Sequence, residues 1–201
     1  CQAKRAGYER QHTALDLHDR KCNLNLARLH KAGIQGVRTV SGDACELDEV
    51  LTSFDAMLGE PVKFDTVFID APCSGTGTMR RHPEIPWRLT EKDVTVELPK
   101  LQLTMLKEAA ERVAAGGELI YATCSVFDEE NTQVVDAFLN SPEGAGFSVA
   151  PLSEAQILQL PDFAQAKKLV SVRQNDRGLF QSVPVNADSY DGHFCARLVH
   201  K

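Results

Sequence analysis

The sequence predicts an α/β protein with a mostly parallel sheet and an antiparallel edge near its C-terminus, and three observations indicate this fold class. Short β-rich runs alternate with helical patterns along the chain, which is typical of a parallel sheet covered by helices. Residues 64–69 (FDTVFI) and 118–123 (ELIYAT) are apolar enough to be central strands. Two later β-rich segments, residues 179–185 and 194–199, favour an antiparallel pair at one edge.

The other elements follow from hydrophobic periodicity and from stop signals. Further strands are predicted over residues 12–17 and 37–41, and helices over residues 19–32, 101–113 and 129–139. The first of these helices is expected to stop at Gly33. The stretch over residues 83–99 holds three prolines and is expected to be irregular, with a short helix after Thr90.

Composition limits the classes to which the chain can belong. Its 201 residues are 43% hydrophobic and 25% charged, so one domain with a substantial core is expected. The net charge of −6 counts against a surface that contacts phosphates throughout, and leaves open a local basic face. No apolar run approaches the roughly 20 residues that a membrane-spanning helix needs.

The cysteines are spread singly along the chain, without a C-x-x-C pair. This spacing fits neither a zinc site nor the dense disulfide framework of a small secreted protein. Reduced thiols are the simplest interpretation, so we expect a cytoplasmic protein with no bound metal. The six residues are Cys1, Cys22, Cys45, Cys73, Cys124 and Cys195.

Five chemically capable side chains fall at or just after the predicted carboxyl ends of strands. Ligands of open α/β sheets bind outside those ends, so the five residues predict an active site on one rim of the sheet. Any one of them alone would carry little weight. They are Asp16, Asp43, Asp70, Cys73 and Cys124.

Two motifs identify a family. The segments DAPCSGTG (residues 70–77) and YATCS (residues 121–125) together resemble the RNA cytosine-C5 methyltransferases of the Sun/RsmB type. Three supporting segments, RRHPEIPW, EEN and DGHFCARL, are most similar to the bacterial 16S rRNA branch. The resemblance extends from about Thr13 to the end of the chain. It implies a Rossmann-like class I methyltransferase sheet, S-adenosylmethionine as cofactor, and RNA, in particular small-subunit rRNA, as substrate.

The resemblance also implies roles for three residues. C5 of cytosine is too weak a nucleophile to attack a sulfonium methyl group, but a thiolate that adds at C6 makes C5 nucleophilic. Cys124 is then the nucleophile, Asp70 holds and polarises the N3/N4 edge of the base, and Cys73 assists release of the product. Cys73 remains a rival nucleophile, because DNA cytosine methyltransferases take theirs from a Pro-Cys pair. The additional TCS motif favours Cys124.

Cofactor contacts are implied for four residues. Asp16 resembles the acid that accepts the ribose hydroxyls, and Asp43 resembles the acid near the adenine; Asp70 and Pro72, two residues further on, complete the set. Spacing alone leaves simpler interpretations open. Asp16 fits a helix N-cap almost as well, and Asp43 fits a turn residue about as well.

RNA contacts are expected from a short basic run, Arg80, Arg81 and His82, as a candidate phosphate site. A solvated loop is the default interpretation of such a run. Trp87 could stack on an RNA base, but anchoring its own loop is the favoured interpretation. Pro86 stands where the family usually has a lysine.

The sequence departs from the family at its beginning. The family's glycine-rich cofactor loop and first strand would precede residue 12, but residues 1–11 contain only Gly7 as glycine. We therefore expect residues 1–201 to be a catalytic domain incomplete at its N-terminus, which binds S-adenosylmethionine poorly. The strands that end at Asp16 and Asp70 would then have to pair directly, leave a gap or borrow a strand.

The sequence leaves one alternative function open and excludes another. A non-catalytic RNA-binding or ribosome-assembly module that retains the fold is the alternative to an enzyme. A tyrosine phosphatase is rejected, because that chemistry needs five residues between Cys and Arg, and six lie between Cys73 and Arg80.

Overall fold

The structure is a computed structural model that describes residues 12–153, 156, 174–184 and 191–201. Contacts divide the chain into two compact units, one up to Val62 and one from Lys63 onward. The elements, in chain order, are β1 (His12–Asp16), α1 (Asp19–Lys31), β2 (Val37–Ser41), α2 (Leu47–Leu58), β3 (Phe64–Asp70), α3 (Leu98–Ala110), β4 (Val113–Thr123), α4 (Thr132–Leu139), β5 (Phe147–Val149), β6 (Phe180–Ser182) and β7 (His193–His200).

The first unit contains β1, α1, β2 and α2. Strands β1 and β2 are parallel, and their register places Asp16 opposite Ser41 at the carboxyl end of the pair. Cys22 of α1 is buried, and its thiol lies 3.3 Å from the carbonyl oxygen of Val40. Helix α2 was not predicted, although Gly59, in the left-handed conformation with φ 77°, ends it as a glycine commonly does.

The second unit is built on a five-stranded sheet. Its order is β3-β4-β7-β5, and β6 also pairs with β7. Strands β3 and β4 are parallel, with Asp70 opposite Ala122, whereas β7 is antiparallel to β4, β5 and β6. The parallel pair therefore brings two carboxyl ends together, and the antiparallel strands form the rest of the sheet.

Apolar side chains from the sheet and from two helices form the core of the second unit. Alternate residues of β4 are buried, as expected for a strand whose successive side chains point to opposite faces. At about 25 cal/mol per Å² of buried apolar surface, each large aromatic side chain contributes a few kcal/mol. The fully buried large apolar residues include Leu106, Leu119, Tyr121, Val135, Phe138, Phe194 and Leu198.

The predicted α/β fold class, with parallel strands and an antiparallel C-terminal edge, is confirmed. Several predicted boundaries are wrong. The helix predicted over residues 101–113 begins at Leu98 and ends at Ala110, because Val113 pairs with Phe64 and starts β4. The helix predicted over residues 129–139 begins at Thr132, after a 3-10 turn at Asp128–Glu130.

Other expectations have mixed outcomes. The irregular stretch contains a 3-10 turn at Ile85–Trp87 and a π-helical turn at Asp93–Glu97 that continues into α3. Strand β1 is hydrogen-bonded to β2 in the sheet of the first unit, and β3 is hydrogen-bonded to β4 in the sheet of the second. The predictions on residues 1–11 and on Val185 lie outside the described residues, and the single-domain prediction stays a prediction.

Candidate active site

The candidate site lies where β3 and β4 end. The amide of Ala71 donates a hydrogen bond of 2.9 Å to the carbonyl oxygen of Ala122, which extends the parallel pairing by one residue. Cys124 follows β4 directly, and Cys73 follows β3 after a short Ala-Pro segment. Neighbouring parallel strands thus deliver both cysteines to the same edge.

The two thiols contact each other. Their sulfur atoms are 3.4 Å apart, and both side chains are half-buried. A hydrogen bond from Cys73 lowers the pKa of the Cys124 thiol to about 7, against the opposing effects of burial and of the negative charge of Asp70. The same hydrogen bond, together with burial, raises the pKa of Cys73. The directions of the two pKa shifts favour Cys124 as the sulfur that ionises, with Cys73 as the hydrogen-bond donor.

Alkylation should reveal this asymmetry. We expect iodoacetamide to modify Cys124 faster than Cys73 near neutral pH, because only a thiolate reacts. Cys73→Ala removes the donor, so the pKa of Cys124 should rise and its alkylation rate at pH 7 should fall about tenfold. Peptide mass spectrometry over a pH series measures both rates.

Cys195→Ala is the matched control, since Cys195 lies in β7 and burial raises its pKa. That variant should leave the alkylation profile of Cys124 unchanged. Preferential modification of Cys73, or a Cys124 rate at pH 7 unaffected by Cys73→Ala, would contradict the assignment of donor and acceptor.

A buried polar network holds both cysteine loops, and its members are not among the predicted site residues. Glu130, which is 0% exposed, accepts a hydrogen bond of 2.8 Å from the amide of Ser74 and further bonds from the hydroxyls of Ser74 and Ser125. Asn131 accepts from the hydroxyl of Thr123 at 2.6 Å and donates to the carbonyl of Ser125 at 3.0 Å. Glu130 and Asn131 lie in the EEN motif, and their partners Ser74, Thr123 and Ser125 lie in the two cysteine motifs.

A close approach of two glycines borders the site. The amide of Gly77 donates to the carbonyl oxygen of Cys124 at 2.8 Å, and the amide of Gly192 donates to the carbonyl of Gly77 at 2.9 Å. A Cβ atom on Gly77 would lie 2.2 Å from the carbonyl oxygen of Gly192. Only glycine therefore fits at this position.

The predicted RNA-contacting residues lie in an exposed turn after this loop. Arg81 donates a hydrogen bond of 2.7 Å to the Asp191 carboxylate, which Arg80 approaches at 3.5 Å. These arginines, Arg81 foremost, hold the pKa of Asp191 below its usual range. His82 lies 3.4 Å from Glu84. A phosphate contact for this turn stays a prediction.

Trp87 does not anchor its loop, and that interpretation is wrong. Its side chain is 89% exposed at the end of a 3-10 turn.

The two acids of the first unit occupy one end of its parallel pair. The Asp16 carboxylate accepts a hydrogen bond of 2.9 Å from the amide of His18 and lies 3.7 Å from Lys21. His18, not Asp16, is the N-cap of α1, so the N-cap interpretation of Asp16 is wrong. Asp43 accepts from the amide of Cys45 at 2.8 Å, as a turn residue does.

These acids fit the predicted cofactor in their chemistry. Carboxylate oxygens accept hydrogen bonds from ribose hydroxyls and from amino groups. Asp16 ends β1, and Asp43 follows the carboxyl end of β2. The described residues contain no group of three or more His, Cys, Asp or Glu side chains able to bind a metal ion. Within the same residues, no helix is both long and apolar enough to cross a bilayer.

The sheet has the class I methyltransferase fold, and two thiols in contact lie at the ends of its parallel strands. Solved structures share this fold. The crystal structure of PH0851 superposes with a TM-score of 0.71 at 29% identity, over 94% of this chain and 36% of that one. NSun6 from Pyrococcus horikoshii, solved with SFG, superposes with a TM-score of 0.69 at 21% identity, over 94% and 41%. The predicted Rossmann-like methyltransferase sheet is thereby confirmed.

Sequence comparison identifies the family. The sequence model of the "16S rRNA methyltransferase RsmB/F" family matches residues 6–199. The "Ribosomal RNA small subunit methyltransferase B" of Citrobacter koseri is 51% identical over 140 residues, which are 69% of this chain and 27% of that protein. The chain belongs to the RsmB/F family of methyltransferases, as the two cysteine motifs predict.

S-adenosylmethionine, the predicted cofactor, is confirmed as the cofactor of this family. The chain spans between 18% and 27% of the length of three curated relatives that it matches.

Proposed function

We propose that the protein transfers a methyl group from S-adenosylmethionine to C5 of a cytosine in RNA, specifically small-subunit rRNA, through a covalent bond between Cys124 and C6 of the base. The observation that carries the proposal is the 3.4 Å contact of two thiols at the carboxyl ends of β3 and β4. Membership of the 16S rRNA methyltransferase family supports the substrate. The cysteine pair supports the position on the base, because activation of C5 requires a nucleophile at C6.

Cys124 acts as the nucleophile. With a pKa of about 7, a large fraction of its thiol is ionised at neutral pH, whereas Cys73 stays protonated. Addition of the thiolate forms a sulfur–carbon bond at C6 and moves the electrons of the C5–C6 double bond onto C5 and the conjugated N3/O2 system. The rival assignment, with Cys73 as nucleophile, would need the more basic thiol to react first.

Asp70 stabilises the charge that this addition creates. Its carboxyl group ends β3 and is exposed at the edge where Cys124 emerges. In the proposed role it accepts a hydrogen bond from N4 and shares a proton with N3, so negative charge does not accumulate on the ring.

Cys73 assists product release. After the methyl group joins C5, the C5 proton leaves to a base, the C5–C6 double bond re-forms, and the bond between C6 and the Cys124 sulfur breaks. The Cys73 S–H group faces that sulfur at 3.4 Å and donates a hydrogen bond to it as it departs as a thiolate. Cys73 thus lowers the basicity of the Cys124 sulfur both when it attacks C6 and when it leaves C6.

The cofactor supplies an electrophilic methyl group on a sulfonium sulfur. Asp16 would accept hydrogen bonds from the ribose hydroxyls, and Asp43 would contact the adenine edge. Asp70 and Pro72 are further proposed contacts of the cofactor. Arg80, Arg81 and His82 would contact phosphates of the RNA, since their side chains are each about half exposed. Residues 1–201 as one catalytic domain remain part of the proposal.

Methylation of defined RNA tests the function. We expect the protein expressed from its complete coding sequence to convert cytidine to 5-methylcytidine in unmodified 16S rRNA, with S-adenosylmethionine present. Nucleoside mass spectrometry identifies the product, and tritium release from [5-³H]cytidine shows substitution at C5. A methyl group at another position, or RNA binding without methyl transfer, would contradict the proposal; the second outcome would favour a non-catalytic module.

A further inference from the structure

We propose that Glu130 is a positioning residue, which joins the loops of the two cysteines and fixes the distance between their sulfur atoms. The proposal rests on the proposed function only in taking Cys73 and Cys124 as the reacting pair. Glu130 itself contacts neither sulfur in this role. It acts through the residues that follow the two cysteines.

The contacts of the carboxylate are arranged symmetrically about the two loops. Ser74, which follows Cys73, donates both its amide and its hydroxyl to Glu130. Ser125, which follows Cys124, donates its hydroxyl to the same oxygen, Oε2, that the Ser74 hydroxyl contacts. The two hydroxyl oxygens are 3.1 Å apart. One carboxylate therefore holds both loops by the residue immediately after each thiol.

A residue of α3, Gln102, also holds the Glu130 carboxylate in place. The side-chain amide of Gln102, which is fully buried, donates to Glu130 Oε1 at 3.1 Å and to the carbonyl oxygen of Pro72 at 2.9 Å. The hydroxyl of Tyr121 in β4 donates to the Glu130 carbonyl at 2.6 Å. The carboxylate is thus tied to the segment before Cys73 as well as to the segment after it.

Burial of this group is costly and requires these donors. A carboxylate away from water costs several kcal/mol unless hydrogen bonds replace its hydration. The four donors to the Glu130 carboxylate are neutral groups, and three of them come from the cysteine loops. A carboxylate that served the fold alone could be replaced by an apolar side chain, whereas this arrangement fixes two loops relative to each other.

The direction in which Glu130→Gln shifts the pKa of Cys124 distinguishes positioning by Glu130 from an effect of its charge. The negative charges of Asp70 and Glu130 both raise the pKa of Cys124, and the charge of Glu130 is a minor cause, whereas the hydrogen bond from Cys73 is the largest and lowers it. If Glu130 acted on Cys124 through charge alone, Glu130→Gln would lower that pKa. If it positions the thiols, the substitution loosens their contact and the pKa rises.

Glu130→Gln is the decisive variant, because it keeps the size of the side chain. We expect the alkylation profile of Cys124 to shift to higher pH, with a rate at pH 7 that falls about fivefold or more. In the protein expressed from its complete coding sequence, kcat should fall about tenfold with little change in KM for RNA. Glu130→Asp retains a carboxylate, so its alkylation rate at pH 7 and its kcat should lie between those of Glu130→Gln and of the unsubstituted protein.

Glu118→Gln is the matched control. Glu118 pairs with Arg197 on the same sheet, so this variant should lower stability without moving the alkylation profile. Circular dichroism establishes that each variant is folded. A folded Glu130→Gln with an unchanged profile, or with a profile shifted to lower pH, would overturn the proposal.

Ser125→Ala serves if Glu130→Gln does not fold. It removes one of the two loop contacts without a change of charge and should shift the profile in the same direction by a smaller amount. An unchanged profile in folded Ser125→Ala would likewise overturn the proposal. Because alkylation needs neither RNA nor cofactor, this result does not depend on whether the protein methylates cytosine.

Discussion

Replacing Cys124 with alanine is expected to abolish methylation, whereas replacing Cys73 with alanine is expected to trap the protein on its RNA. Without Cys124 no bond to C6 forms, so kcat should fall by at least about 10³-fold. Without Cys73 the bond still forms, more slowly because the pKa of Cys124 rises, but the departing sulfur lacks its hydrogen-bond donor. The covalent complex should then accumulate.

Denaturing gel electrophoresis of the protein with labelled 16S rRNA and S-adenosylmethionine measures the adduct. Cys195→Ala is the matched control and should neither trap RNA nor reduce methylation, since its thiol belongs to β7. Methylation that survives Cys124→Ala, combined with the absence of an adduct in Cys73→Ala, would end the assignment. An adduct that requires Cys73 and not Cys124 would show that Cys73 is the nucleophile and that Cys124 assists release.

Gly77→Ala is expected to cause the largest loss of stability among single methyl additions near the site. The new Cβ atom would lie 2.2 Å from the Gly192 carbonyl oxygen and 2.6 Å from its carbon, so backbone must move. Such overpacking costs about 3 kcal/mol. Activity should fall as well, because the amide of Gly77 holds the carbonyl of Cys124.

Urea denaturation followed by circular dichroism measures the free energy of unfolding of each variant. Gly146→Ala is the matched control: its Cβ atom would meet only the ring of His200 at 3.1 Å, which a small rotation relieves. We expect a loss below about 1 kcal/mol there. A Gly77→Ala protein within about 0.5 kcal/mol of the unsubstituted one would show that the two glycines separate easily.

The sequence was sufficient to place the reactive residues at strand ends. Apolar runs located β3 and β4, and the motifs at their carboxyl ends located Asp70, Cys73 and Cys124. These inferences succeed because a strand and the residue that follows it are local in sequence. The boundaries failed where tertiary pairing decides, as at Val113, where a residue with a helical pattern joins Phe64 in the sheet.

Contacts between distant segments could not be predicted from the pattern. Glu130 lies in the EEN motif, but its partner Ser74 is 56 residues away, and no periodicity connects them. The pairing of Arg81 with Asp191 spans 110 residues. Trp87 is 89% exposed, and nothing in the composition of its loop indicates this. The residues that hold the site are thus harder to find than those that react.

The position of β7 has a consequence for the order in which the chain folds during synthesis. Cys124 directly follows β4, and the neighbour of β4 on one side is β7, with Glu118 opposite Val199. A ribosome releases Cys124 long before it releases β7, so for that interval one edge of β4 has no partner strand. Long-range pairings of this kind close slowly. The strand that positions the reactive thiol should therefore gain its second neighbour only at a late stage of folding.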